Sequence, residues 1–159
     1  MTGPPILIVE DALEVLRSIR RALGRAEVSN PVLSARTVEQ AQQLCSKGCA
    51  PLLVLLDYTV GGRCGLDFLE WLRDQPSPLG GTPVIVLACP HTPHEHGRAQ
   101  ALGWSILVRK PPEEGVLAKA ISAFGLVRTT VVRGRHHGYW LTAREELRTD
   151  RNGRENPER

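Results

Sequence analysis

Three short runs in this chain are apolar almost from end to end: Pro5 to Val9 (PILIV), Leu52 to Leu56, and Pro83 to Ala88 (PVIVLA). Each is too short for a helix, and none alternates as a strand with one wet face does. Each therefore reads as a strand buried on both sides. Val28 to Ala35, irregular at Asn30-Pro31, and Trp104 to Val108 read as two more strands. Helical spacing fills the gaps. Leu13, Leu16, Ile19, Arg20 and Leu23 recur at three and four, with Gly24 as the stop. Thr37-Val-Glu-Gln40 is a capping box, and the helix it opens turns Val38, Ala41 and Leu44 inward before Gly48. Leu66, Phe68, Leu69 and Leu72 mark a third helix, ended before Pro76 and Pro78. Thr92 to Glu95, with Pro93 at the first helical position, opens a fourth that reaches Leu102-Gly103. Glu113 to Phe124 is a fifth, with Val116, Leu117, Ala120 and Ile121 on one face. Alternating strands and helices predict an α/β fold: a parallel sheet covered by helices on both faces.

Size and charge narrow what such a fold does. With 159 residues, 42% hydrophobic and 23% charged, the chain has room for one domain and a short extension, and needs no disulfide or metal staple. Its longest apolar run, PLLVLL at 51–56, is far below the roughly 18 residues of a membrane span. The start, MTGPPILIVED, lacks the basic residues of a secretory signal. Cys45, Cys49, Cys64 and Cys89 are scattered, as reduced thiols of a cytoplasmic protein are. Residues 1–125 hold 12 basic and 12 acidic side chains, so the net +3 lies wholly in residues 126–159. That is not the footprint of a nucleic-acid-binding domain.

Ionisable residues follow three of the five strands. In an open parallel sheet, ligands bind outside the carboxyl ends of the strands, where strand order reverses. Glu10 and Asp11 follow the first strand, Asp57 the third and Lys110 the fifth. In the flavodoxin-like, doubly wound order 2-1-3-4-5 the first and third strands are neighbours, so the three carboxylates meet in one pocket. Acids so close need a counter-charge. A hard divalent cation such as Mg²⁺ supplies it, and Lys110 could hold the next anion. Asp57 could then act as a nucleophile towards phosphorus.

ILIVED at 6–11, LLVLLD at 52–57, Gly65 eight residues past Asp57, and ALGWSILVRKP at 101–111 together resemble a response-regulator receiver domain, of the CheY-like superfamily of two-component signalling. The resemblance covers about residues 4–125. It implies phosphoryl transfer to Asp57 from a histidine kinase or phosphotransfer protein. It also implies Mg²⁺ held by Asp11, Asp57 and the backbone carbonyl of Thr59, Glu10 acting through water, Lys110 on the phosphoryl oxygens, and a cis bond at Lys110-Pro111. It further implies a signalling protein rather than an enzyme. Output goes to a downstream protein through helix four, strand five and helix five, and a homodimer is left open.

Departures from the family fall at the switch. Its strand-four Ser/Thr position is Ala88, its switch aromatic is Leu107, and its Met-Pro pair past the acceptor is Val60-Gly61. The expectation is a working phosphorylation pocket joined to an altered relay, in a single-domain response regulator. The alternative is a pseudo-receiver that docks partners whatever its phosphorylation state. Simpler readings stand beside these: Glu10 as a helix-capping acid, Lys110 as a surface cation. Cys89, His91, His94 and His96 have zinc-ligand chemistry but span a strand exit, a loop and a helical turn, and read as a solvated loop.

Residues 126–149 read as a C-terminal extension, with Val127–Val132 and Gly138–Leu141 as hairpin strands and Thr142 and Glu145 capping a short helix. Residues 141–147 resemble the opening of a LuxR-type helix-turn-helix domain. Residues 150–159 are polar, are expected to be disordered, and supply no recognition helix. A complete DNA-binding domain is therefore not expected, and a truncated transcription regulator is the third reading.

Overall fold

A computed structural model describes residues 3–88, 93–103, 105–124, 126–133 and 136–142. Five strands form one sheet: β1 (Ile6–Val9), β2 (Val32–Ala35), β3 (Leu53–Asp57), β4 (Val84–Ala88) and β5 (Ser105–Arg109). All neighbours are parallel and the order is 2-1-3-4-5. Helices α1 (Leu13–Arg25), α2 (Val38–Ser46), α3 (Leu66–Arg73), α4 (Pro93–Ala101) and α5 (Glu114–Ala123) connect or follow the strands. This is the flavodoxin-like receiver fold.

The apolar runs become the inner strands because both of their faces are covered. Leu7, Val9, Val54, Leu56, Val84 and Val86 pack with Phe68, Leu69 and Leu72 of α3 and with Val38 and Ala41 of α2. The alternate residues, among them Ile6, Ile8, Leu55 and Ile85, pack with Ile19 and Leu23 of α1 and with Leu117 and Ile121 of α5. Every residue of β1, β3 and β4 is buried, whereas β2, at the edge, buries only Ala35.

Three local readings are corrected. The second strand begins at Val32 rather than Val28. Buried Asn30 donates its side-chain amide to the Pro4 carbonyl at 2.8 Å, and Pro31, which has no N–H, contributes only its carbonyl, to Ile6. In α1, Val15 and Leu16 are half-buried and Ile19, Ala22 and Leu23 buried, so Leu13 and Arg20 lie outside. At α2, Thr37 Oγ1 accepts from the Gln40 amide at 3.1 Å, but Gln40 reaches back to the amide of Arg36 rather than Thr37.

Beyond α5, β6 (Val127–Arg133) and β7 (His136–Thr142) pair antiparallel, with Val127 opposite Thr142. The short helix read from Thr142 and Glu145, like Trp104, lies outside the described residues. No described helix is long and apolar enough to cross a membrane.

Candidate functional site

Val9 stands opposite Leu56, so the residues that follow them, Glu10 and Asp57, leave the sheet at the same rim. Ligand oxygens of Glu10, Asp11 and Asp57 come within 4.8 Å of one another. Glu10 is 1% exposed and Asp57 6%, so two of the three acids are inside the protein; Asp11 is half-buried. Lys110 arrives from β5. Its backbone N–H donates to the Ala88 carbonyl at 2.9 Å, and the Lys110-Pro111 bond is cis. Its Nζ lies 3.1 Å from Glu10 Oε2 and 3.1 Å from Asp57 Oδ2. The surface-cation reading of Lys110 therefore does not hold.

Glu10 combines the capping and the pocket readings. Oε1 accepts from the Ala12 amide at 2.9 Å, while buried Oε2 pairs with the Lys110 ammonium at 3.1 Å. Burial pushes the Glu10 carboxyl above the usual Glu range, and the charge of Asp57 adds to this against the pull of the Ala12 amide and Lys110. For Lys110, burial works against the ammonium. The carboxylates of Glu10 and Asp57 outweigh it, and its pKa is raised. Asp57 Oδ1 accepts from the Thr59 amide at 3.3 Å.

The segment after Asp57 folds back as a two-rung hairpin, Thr59–Val60 against Arg63–Cys64. Gly61 (φ 56°) and Gly62 (φ 77°) form its tip, where left-handed backbone favours glycine. Gly65 closes the loop: its N–H donates to the Tyr58 carbonyl at 2.6 Å, and a Cβ there would collide with the carbonyl oxygen of Asp57. Only a glycine permits this approach.

Ala88 is buried, and Leu107 packs against the core cluster of the α2–α3 side. Both switch positions are filled by aliphatic packing. Of the Cys/His segment read as a solvated loop, His94 and His96 are exposed on α4, while Cys89 and His91 lie outside the described residues. Among the described residues, the acidic trio is the only group of three that could hold a metal. Two arginines at the rim escaped the sequence patterns. Arg36 Nη2 donates to the Asp11 carbonyl at 3.2 Å, and Arg98 reaches Cys64 Sγ at 3.4 Å and Glu70 at 3.0 Å. The signal for Arg36 was its position directly after β2, on the same rim; Arg98 had none.

The geometry agrees with a family match: residues 6–122 match the response regulator receiver domain family. The chain belongs to that family. No curated protein sequence matches it. Among solved structures, the bacteriophytochrome response regulator AtBRR is 27% identical with a TM-score of 0.73, over 84% of this chain and 100% of that one. Its counterpart RtBRR is 27% identical with a TM-score of 0.73, over 84% of each chain. Chemotaxis protein CheY4 of Vibrio cholerae, 20% identical with a TM-score of 0.67, over 77% of this chain and 99% of that one, shares the fold. The protein is thus a receiver domain of two-component signalling, a family whose acidic pocket typically binds Mg²⁺.

Proposed function

We propose that this receiver accepts a phosphoryl group on Asp57 from a phosphohistidine donor, a histidine kinase or phosphotransfer protein. Asp11, Asp57 and the Thr59 carbonyl would hold Mg²⁺, with Glu10 acting through water. The donor set fits a hard cation: it is all oxygen, its three carboxylates lie within 4.8 Å of one another, and two of them are buried. When bound, Mg²⁺ neutralises charge on the transferring phosphoryl group. One carboxylate oxygen of Asp57 forms the new P–O bond as the P–N bond to the donor imidazole breaks. The electron pair leaves with the imidazole. Lys110 follows the phosphoryl oxygens, exchanging one anionic partner for another. The chain is then the substrate of its own phosphorylation, not an enzyme that turns over.

What supports the reading most is Lys110 Nζ at 3.1 Å from both buried carboxylates, a cation poised beside the acceptor oxygen. Incubation with acetyl phosphate and Mg²⁺, followed by intact mass, tests it. The expected result is a gain of one phosphoryl group that disappears in Asp57→Ala. No gain under excess donor contradicts it, and then favours the pseudo-receiver, a docking module that ignores phosphorylation. Buried Ala88 and half-buried Leu107, which lack the usual relay groups, are the observation behind that second reading.

We assign residues 4–125 to the receiver, 126–149 to an extension and 150–159 to a tail, in a cytoplasmic protein. Cys45, Cys49 and Cys64 are free thiols, as that compartment favours. Output passes to a downstream protein through α4, β5 and α5. No DNA-binding domain occurs among the described residues, and residues 143–159 lie outside them.

A further inference from the structure

Of the five helices, α4 has the least apolar hold. Ala99 is its only buried residue, whereas α3 buries Leu66, Phe68, Leu69 and Leu72, and α5 buries Leu117, Ala120 and Ile121. Polar contacts hold it instead. Arg73 fixes the turn that follows it, on the Leu102 and Gly103 carbonyls, and the Ser105 hydroxyl donates to the Ala99 carbonyl. Towards the acceptor hairpin the hold is Arg98. Its guanidinium donates to Glu70 at 3.0 Å and to Cys64 Sγ at 3.4 Å, and lies 3.7 Å from Asp67. Asp67 is shared with Arg63, which also pairs with Glu39. Alternating charges therefore run from α2 through the hairpin and α3 to α4.

Cys64 is where these contacts meet the acceptor. It stands opposite Thr59 in the hairpin, and the Thr59 amide donates to Asp57 Oδ1 at 3.3 Å. Tyr58 belongs to the same group: burial raises its phenol pKa most, Cys64 and Glu95 add to this, and Arg98 opposes them. Asp57 is thus joined to α4 by contacts in series, from Asp57 to Thr59, from Thr59 to Cys64, and from Cys64 to Arg98. None of them passes through Ala88 or Leu107.

We propose that Cys64 and Arg98 form the relay of this receiver, carrying a change at Asp57 through the hairpin to α4 in place of the hydroxyl and aromatic that Ala88 and Leu107 lack. The proposal rests on the reading of Asp57 as phosphoacceptor. A phosphoryl group adds charge and bulk at the carboxylate, the Thr59 amide adjusts to it, and Cys64 moves with its cross-strand partner. Arg98 then loses its sulfur contact while keeping Glu70, and α4, with Ala99 alone buried, loosens. The two-rung hairpin suits this part: it is short enough that Thr59 and Cys64 cannot shift independently. The physical warrant is an element with two arrangements that the acceptor biases.

The test follows backbone amide exchange of α4 in the full chain, with and without Mg²⁺ and excess acetyl phosphate, while intact mass reports labelling of Asp57 in the same samples. In the native chain, labelling is expected to speed α4 exchange by about threefold, the worth of one weak hydrogen bond. Cys64→Ala keeps the pair of Arg98 with Glu70 but cuts the link to the hairpin. Its α4 is expected to exchange at the labelled native rate in both conditions. Arg98→Met removes every one of these contacts, and its α4 is expected to exchange about tenfold faster than native before labelling, with no further response. Labelling of Asp57 is expected in all three chains. Three labelled chains with the same α4 response, a labelled native chain with no α4 response, or α4 exchange unchanged by Arg98→Met would each overturn the relay and leave the phosphoacceptor reading standing. A native chain that takes no label overturns that reading, and the relay with it.

Discussion

Two long cationic side chains are tucked against opposite rims of the same sheet, and they differ in what they touch. At the carboxyl rim, Lys110 Nζ faces two carboxylates, Glu10 and Asp57. At the amino rim, Arg73 at the end of α3 donates to four backbone carbonyls: Gly80 and Thr82 ahead of β4, and Leu102 and Gly103 ahead of β5, at 2.7–3.1 Å. Burial draws the Arg73 pKa down, while the acids around Lys110 draw its pKa up. Carbonyls are fixed dipoles that no reaction removes, so Arg73 ties together the ends of α3, β4 and β5. Carboxylates can be esterified or metallated, so the partners of Lys110 can change. A buried cation is a candidate for chemistry when its partners are, and residue type alone does not tell the two apart.

Removing each cation separates the roles. Lys110→Met leaves Glu10 and Asp57 buried without their counter-charge. A loss of about 3–5 kcal/mol in urea unfolding is expected, with part of it regained in Mg²⁺. No loss would mean that the three groups are not coupled. Arg73→Ala is expected to cost about 2–3 kcal/mol, the scale of charge-assisted hydrogen bonds, with the rate of Asp57 labelling per folded molecule unchanged. A fall in labelling rate at equal folding would bring the amino rim into the chemistry and erase the contrast.

Ala88→Thr probes the carboxyl rim more gently. A hydroxyl at the end of β4, beside the strand that ends at Asp57, should bias a phosphorylated state by about 1.5 kcal/mol, a little over tenfold. Amide shifts of α4 and β5 on acetyl phosphate treatment would be larger in the variant; identical shifts would remove Ala88 as the reason for a weakened relay. Cys45 makes a third comparison, a buried group with neither acids nor carbonyls for partners. Burial, helped by Cys49, pushes its thiol up to about 11 from 9.0. The folded state holds this proton more tightly than the unfolded one, so stability falls as pH rises from about 9 through 11. Iodoacetamide should label Cys45 slowly at pH 9 and faster as pH approaches 11.

How far the sequence could be read follows from these contacts. Uninterrupted apolar strands announce themselves because both faces are covered, and a parallel sheet sends Glu10, Asp57 and Lys110 to one rim whatever the details. No periodicity signals that the strand starts only at Val32: Asn30, a polar residue, is buried with its side-chain amide on the Pro4 carbonyl. Arg73 gives no signal for the same reason: the carbonyls of Gly80, Thr82, Leu102 and Gly103 to which it donates are main-chain oxygens, which every sequence has. The hairpin after Asp57 gives no strand signal although its Gly61-Gly62 tip is a two-residue turn signal, since its strands are only two residues long.

The central claim is that the carboxyl rim forms one cation-binding pocket. The most direct measurement is a titration with Mn²⁺, which takes the same oxygen ligands as Mg²⁺, followed by the loss of its free electron-paramagnetic signal. One bound ion per native chain is predicted, lost in both Asp11→Asn and Asp57→Asn and retained in Arg73→Ala. Equal binding by the native chain and the two Asn variants would contradict it.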